Sequence, residues 1–243
     1  NAFSQTIIEY FTIPHCLTKI CESAFFECKN LRTIEIPENS ELQIIEKDVK
    51  TQIESFTIPS HLTNIGESCF LLCEKLRKIE IAPNSELHTI GNGAFFRTSI
   101  DIITIPPHLA KISQYCFADC SNLQRIEIPS NSELELIDQK AFCRSNIESF
   151  TISQHITEIS ENLRTIEILR TIEIPANSEL KTIGKDAFVN TKIESFTIPS
   201  SLIDLSGGWC KNASELININ VSFNNQRFKK YEDKFIVGKS SLE

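Results

Sequence analysis

Three sets of side chains in this chain could do chemistry by type and spacing: Glu35, Glu80, Glu127 and Glu173; His61, His108 and His155; and nine cysteines. Paired carboxylates cleave glycosides when they stand ~5–9.5 Å apart. Zinc needs Cys and His ligands in close pairs. The glutamates, the histidines and the set Cys28, Cys73, Cys120 each recur at 45–47 residues. That is twice a shorter period, so like residues fall two turns of a stack apart, roughly 10 Å. Such a gap slightly exceeds the carboxylate window, lies beyond the ~7 Å limit for a disulfide and cannot close on one metal. The histidines read as solvated loop residues. The three cysteines share a column with Thr6, Thr98, Ser145 and Thr191, where a weak donor in a buried turn can satisfy a backbone carbonyl. Cys69 and Cys116 replace a packed alanine, and Cys16, Cys21, Cys143 and Cys210 lie off both columns. No glycine-rich phosphate loop or nucleophile elbow is present. These features predict no catalytic residue, no metal and no cofactor.

The element that positions these side chains is a repeat. Ile13, Ile36, Ile58, Ile81, Ile105, Ile128, Ile152, Ile174 and Ile198 each end a short alternating strand, at intervals of 22–24 residues. A period this regular marks a solenoid whose turns bury their apolar side against each other. Two repeat types alternate. One is typified by Leu17 to Pro37 (LTKICESAFFECKNLRTIEIP); the other opens on a turn such as PENSEL and closes in IESFTIP. Proline after the strand ends ladder pairing. The Ala-Phe segment, as at Ala24-Phe25 and Ala187-Phe188, is expected to be a short helical turn that plugs the core.

Three stretches depart from the pattern. Glu46 to Ile53 lacks its Ala-Phe pair and should pack thinly. Residues 163–174 read LRTIEILRTIEI, with spacing that favours the second copy as the paired strand. Gly207-Gly208-Trp209 loosens the pattern near the end.

The run LxxIxIP…LxxIxxxAFxxC, over about residues 1–222, resembles the Treponema-type leucine-rich repeats of BspA-like surface proteins. The resemblance implies an α/β solenoid: a right-handed superhelix with a parallel β-sheet on one face and short helical or irregular segments on the convex side. It also implies a non-enzymatic cell-surface protein that adheres to host or matrix proteins. The domain plan is then an array over 1–222 of about ten strands, opening inside a repeat. An irregular or capping segment follows at 223–243, with Leu242-Glu243 read as vector-derived. An array cut inside a repeat exposes apolar core, which predicts end-to-end self-association at high concentration.

The solvent side of the strands is the candidate partner-binding face. Tyr10, Thr33, Glu35, Lys78, Glu80, Ile102, Arg125, Glu127, Thr171 and Glu173 lie on it by alternation. Tyr10, Ile102 and Arg125 are the large exceptions on a small, polar strip, and such residues carry interface energy. A second column, Glu9, Arg32, Glu54, Arg77, Asp101, Gln124, Glu148, Arg170 and Glu194, alternates in sign and predicts an exposed ion-pair ladder. Asn212 and Asn220 head Asn-X-Ser acceptors for glycosylation, which fits a secreted route. Net charge of −8 argues against nucleic acid. No apolar run reaches the ~20 residues of a membrane helix. The nine cysteines favour a rival reading, an intracellular (cytoplasmic) scaffold for protein interaction. A carbohydrate-active β-helix is the third, opposed by the Ala-Phe plugs.

Overall fold

The computed structural model describes residues 2–47, 49–82, 84–159, 166, 168–231 and 235–238. The chain winds as a parallel-strand β-solenoid. One sheet holds β1 (Tyr10–Thr12), β3 (Thr33–Glu35), β5 (Ser55–Ile58), β7 (Lys78–Ile81), β9 (Ile102–Thr104), β11 (Arg125–Glu127), β13 (Ser149–Thr151), β15 (Thr171–Glu173), β17 (Ser195–Ile198) and β19 (Asn218–Val221). Alternation works here as the sequence implies: Ile34, Phe56, Ile79 and Ile126 point inward while their neighbours face solvent.

A second parallel sheet is built from two-residue strands: β2 (Lys19–Ile20), β4 (Ile44–Ile45), β6 (Asn64–Ile65), β8 (Thr89–Ile90), β10 (Lys111–Ile112), β12 (Leu136–Ile137), β14 (Glu158–Ile159), β16 (Thr182–Ile183) and β18 (Asp204–Leu205). Two residues are too few to show an alternation. The surviving signal is an LxxI spacing, as in Leu17…Ile20 and Leu42…Ile45.

The two ladders take turns. In the first sheet β1–β3, β5–β7, β9–β11, β13–β15 and β17–β19 pair over at least three positions. Between those pairs the ladder lapses among the described residues, apart from one contact of Lys78 with Ile102. Where it lapses, the second sheet bridges, through β2–β4, β10–β12 and β14–β16. Conversely, β8–β10 and β12–β14 are unpaired where the first sheet is continuous. Every two successive coils therefore keep at least one ladder.

The convex side corrects the helical expectation: the described residues contain no helix. Each Ala-Phe segment is a run of tight turns carrying two left-handed residues four apart, such as Ser23 and Glu27, Ser68 and Leu72, or Tyr115 and Asp119. The physical reason lies in where the N–H groups go. Alternate ones close local turns (Cys116 N to Ser113 O, 3.2 Å; Ala118 N to Tyr115 O, 3.1 Å). The others reach the next coil (Phe117 N to Ala141 O, 2.8 Å; Asp119 N to Cys143 O, 2.7 Å). A helix would spend all of them on its own carbonyls. Here half are spent on stacking, so the buried backbone is satisfied and the coils are tied on the convex side too.

Phenylalanines fill the space between sheets and turns. Phe70, Phe95, Phe117 and Phe142 stack at 5.3–5.7 Å between centroids with planes within 4–7° of parallel. Phe3 and Phe25 form a separate stack at 5.5 Å. The break between them falls at Val49, whose N–H bonds to Cys69 O, placing valine in the phenylalanine slot. Val49 is buried there, with less bulk than the ring it replaces. Phe56 from β5 lies 4.9 Å from Phe70 and supplies part of the lost bulk. In the tandem hexapeptide the second copy carries β15, as the spacing favours. Of the first copy, residues 163–165 and 167 lie outside the described residues, and Ile166 is buried. The Gly-Gly-Trp stretch stays in register: Gly208 occupies a left-handed slot, Trp209 takes the alanine position and Cys210 the phenylalanine position. Large and small have exchanged places, which the strict motif hides.

Corners alternate in length. Long ones bury Ser40, Ser85, Ser132 and Ser178, whose hydroxyls accept the N–H two residues on at 3.2–3.3 Å. Asn225 plays that part at residues 222–227: its Oδ1 accepts Arg227 N and Phe228 N, and its Nδ2 donates to Pro199 O and Leu202 O. The repeat's corner thus extends past residue 222. An antiparallel hairpin follows, β20 (Phe228–Tyr231) with β21 (Phe235–Gly238). Leu242-Glu243 lie outside the described residues.

Candidate functional site

All ten strand-face residues singled out by alternation lie on the solvent side of the first sheet. Register brings their glutamates beside a hydroxyl of the preceding coil. Thr12 donates to Glu35 at 3.1 Å, Thr57 to Glu80 at 3.3 Å, Thr104 to Glu127 at 3.1 Å and Thr151 to Glu173 at 3.1 Å. Tyr10 also donates to Glu35. These four carboxylates are stitches between paired coils, two coils from one another, and no acid–base pair forms.

Bulk on this face is concentrated at its centre. Lys78, Ile102 and Arg125 stand side by side in register. Lys78 pairs with Glu80 at 2.5 Å and Arg125 with Glu127 at 3.3 Å, each within its own strand. The hydrogen bond and charge of Lys78 hold the Glu80 carboxyl below its ordinary value. Ile102 remains 44% exposed between these two zwitterionic arms. The immediate neighbours in the row are Ser55 and Ser149, and the other large side chain, Tyr10, stands near its start. Asn212 is exposed in a convex turn and Asn220 is exposed on β19.

The alternating charge column stacks as expected at the backbone, with Arg32 N on Glu9 O and Arg77 N on Glu54 O, both 2.9 Å. The ion-pair ladder does not form along it. Among the described residues its pairing is confined to Arg170, 3.3 Å from Glu194 and from Glu215. Fully solvated side chains gain too little from pairing to be held in place, and backbone bonds already set the register.

The histidines are loop residues, yet not free. His61, His108 and His155 lie 4.0, 3.1 and 3.5 Å from Glu86, Glu133 and Glu179 of the next corner. The cysteine column is a mixed thiol–hydroxyl ladder. Cys28, Cys73 and Cys120 donate to the carbonyls of Phe3, Val49 and Phe95 at 2.9, 3.3 and 3.1 Å. Burial pushes the thiols of Cys73 and Cys120 up to about 11 and that of Cys116 well above its ordinary value. No disulfide joins any of the nine cysteines. Among the described residues no group of three or more His, Cys, Asp or Glu is placed to hold a metal ion. Among the described residues, no helix is long and apolar enough to cross a membrane.

Comparison with known proteins agrees with this geometry. The model of the BspA-type leucine-rich repeat region matches in six copies over residues 1–49, 48–165 and 164–232. No curated protein sequence matches. Among solved structures, a leucine-rich repeat protein from Bacteroides ovatus is 20% identical with a TM-score of 0.53, over 89% of this chain and 73% of that one. The pneumococcal vaccine antigen PcpA is 19% identical with a TM-score of 0.51, over 89% and 62%. The T. pallidum leucine-rich repeat protein is 19% identical with a TM-score of 0.52, over 75% and 76%. At such identities the likeness is one of fold. With the family model matched along nearly the whole coil stack, this chain belongs to the BspA-type leucine-rich repeat family.

Proposed function

We propose that the chain is a non-enzymatic binding module displayed at the cell surface, adhering through its strand face to host or matrix proteins. The observation that supports this most directly is the central row Lys78–Ile102–Arg125, an apolar knob between two long side chains on the four strands from β5 to β11. Exposed apolar and arginine side chains held on a rigid frame are what interface anchors need. A vaccine antigen among the structural relatives supports display outside the cell. The test is a binding assay against immobilised matrix and host-cell surface proteins, with Tyr10, Ile102 and Arg125 together changed to serine. Loss of binding is expected. Undiminished binding would exclude this face.

A second reading, an intracellular scaffold with the same face, is favoured by nine cysteines that form no disulfide. Thiol titration of protein isolated without reductant separates the two. A full complement of free thiols supports the scaffold, and mixed disulfides at exposed Cys16 or Cys21 support the surface.

A further inference from the structure

Beside the strand face, where the sheet turns into the convex side, lies a charged groove of about 550 Å³. Its cations are Lys29, Arg32, Lys75 and Arg77, its carboxylates Glu9 and Glu54, and the amides Asn30 and Gln52 lie among them. All four cations are exposed, and among the described residues none has an ion pair or side-chain hydrogen bond. This sets the groove apart on the same rim. Farther along, Arg97 meets Glu74, Arg144 meets Asp119, and Arg170 meets Glu194 and Glu215. In a chain of net charge −8, four unclaimed cations are gathered at one place.

We propose that this groove binds a sulfated polysaccharide, as a site independent of the strand face. Cations come in twos, Lys29 with Arg32 and Lys75 with Arg77, on alternate coils and therefore roughly 10 Å apart. Between them stand Glu54 and Gln52, which want hydrogen-bond donors. A sulfated glycan carries anionic groups on its rings, separated by hydroxyls that donate to such acceptors. Guanidinium groups suit tetrahedral oxyanions through two parallel N–H bonds. An extended acidic peptide puts same-side carboxylates only ~7 Å apart, a poorer match. Duplex nucleic acid, with a charge every ~1.7 Å of axis, would press phosphates against Glu9 and Glu54.

The experiment measures binding of the purified chain to immobilised heparin, to chemically desulfated heparin and to poly-glutamate, over a salt series. Wild-type protein should bind heparin, weaken as salt rises, and bind neither control comparably. Arg32→Ala and Arg77→Ala should each weaken binding roughly tenfold, the scale of a hydrogen bond to a charged group. Ile102→Ser should leave it unchanged. Thermal melting confirms folding, and Lys29→Ala/Lys75→Ala serves as a second pair should an arginine variant fail to fold. The proposal is overturned if heparin is not bound, if both arginine and lysine variants bind like wild type, or if poly-glutamate binds as well.

Discussion

The thiol of Cys120 lies 3.1 Å from the carbonyl oxygen of Phe95, one coil earlier, and 3.3 Å from the hydroxyl of Thr98. The same carbonyl accepts Thr98 Oγ1 at 2.9 Å. A buried carbonyl on a turn that is not helical is thus doubly satisfied by side chains from two coils. Cysteine works there because it is small, apolar in bulk and a weak donor.

This arrangement makes stability sensitive to alkali. The folded Cys73 and Cys120 titrate near 11 against an ordinary 9.0, because burial disfavours the thiolate. A raised pKa means the contribution is complete below the unfolded value and is lost as pH rises toward the folded one. Urea midpoints should therefore hold to pH 8 and fall between about 9 and 11, by ~2–3 kcal/mol for each such thiol. Cys73→Ala/Cys120→Ala should flatten that fall. An equally steep fall in the double variant would contradict the account.

Reactivity should divide along the same line. Under native conditions near pH 8, iodoacetamide should label exposed Cys16 and Cys21 quickly. Cys28, Cys69, Cys73, Cys116 and Cys120 should react only on unfolding. Peptide mapping by mass spectrometry reads this directly.

The ring stack predicts where truncation hurts. Phe117 is fully buried between Phe95 and Phe142, so Phe117→Ala should cost roughly 3–5 kcal/mol in chemical denaturation. Phe223→Ala, at a fully exposed ring, should stay within about 0.5 kcal/mol of wild type.

Gly91 has no room for a methyl group. A Cβ there would stand 2.4 Å from Glu67 N, a backbone atom of the coil below. Gly91→Ala should therefore destabilise by ~1–3 kcal/mol, seen as a lower denaturant midpoint. Gly207→Ala, with nothing within 4 Å, is the comparison that should change little.

On the strand face, Lys78→Ala should raise the Glu80 carboxyl toward its ordinary value, because the ammonium is the main cause of its lowering. A carboxyl-carbon NMR titration measures it. Because the pair favours the ionised carboxylate, its contribution is complete above the unfolded carboxylate value and is lost as pH falls through the folded one, and solvent exposure keeps it small.

What the sequence determined was everything that repetition writes in large letters. A recurring isoleucine, a proline after most first-sheet strands and a phenylalanine in most turns make stacked coils the one arrangement that buries all of them together, so the first sheet, its solvent face and the cysteine column follow from spacing alone. Tertiary structure decided what depends on contacts between coils. The two-residue strands are too short to carry a pattern, yet they bridge wherever the main ladder lapses. The Ala-Phe segment became a chain of turns because its N–H groups find partners one coil away, a choice invisible within a single repeat. Arg32 and Arg77 have the same residue type and rank in the motif as Arg170, and only the neighbours that stacking brings near separate a paired cation from a free one.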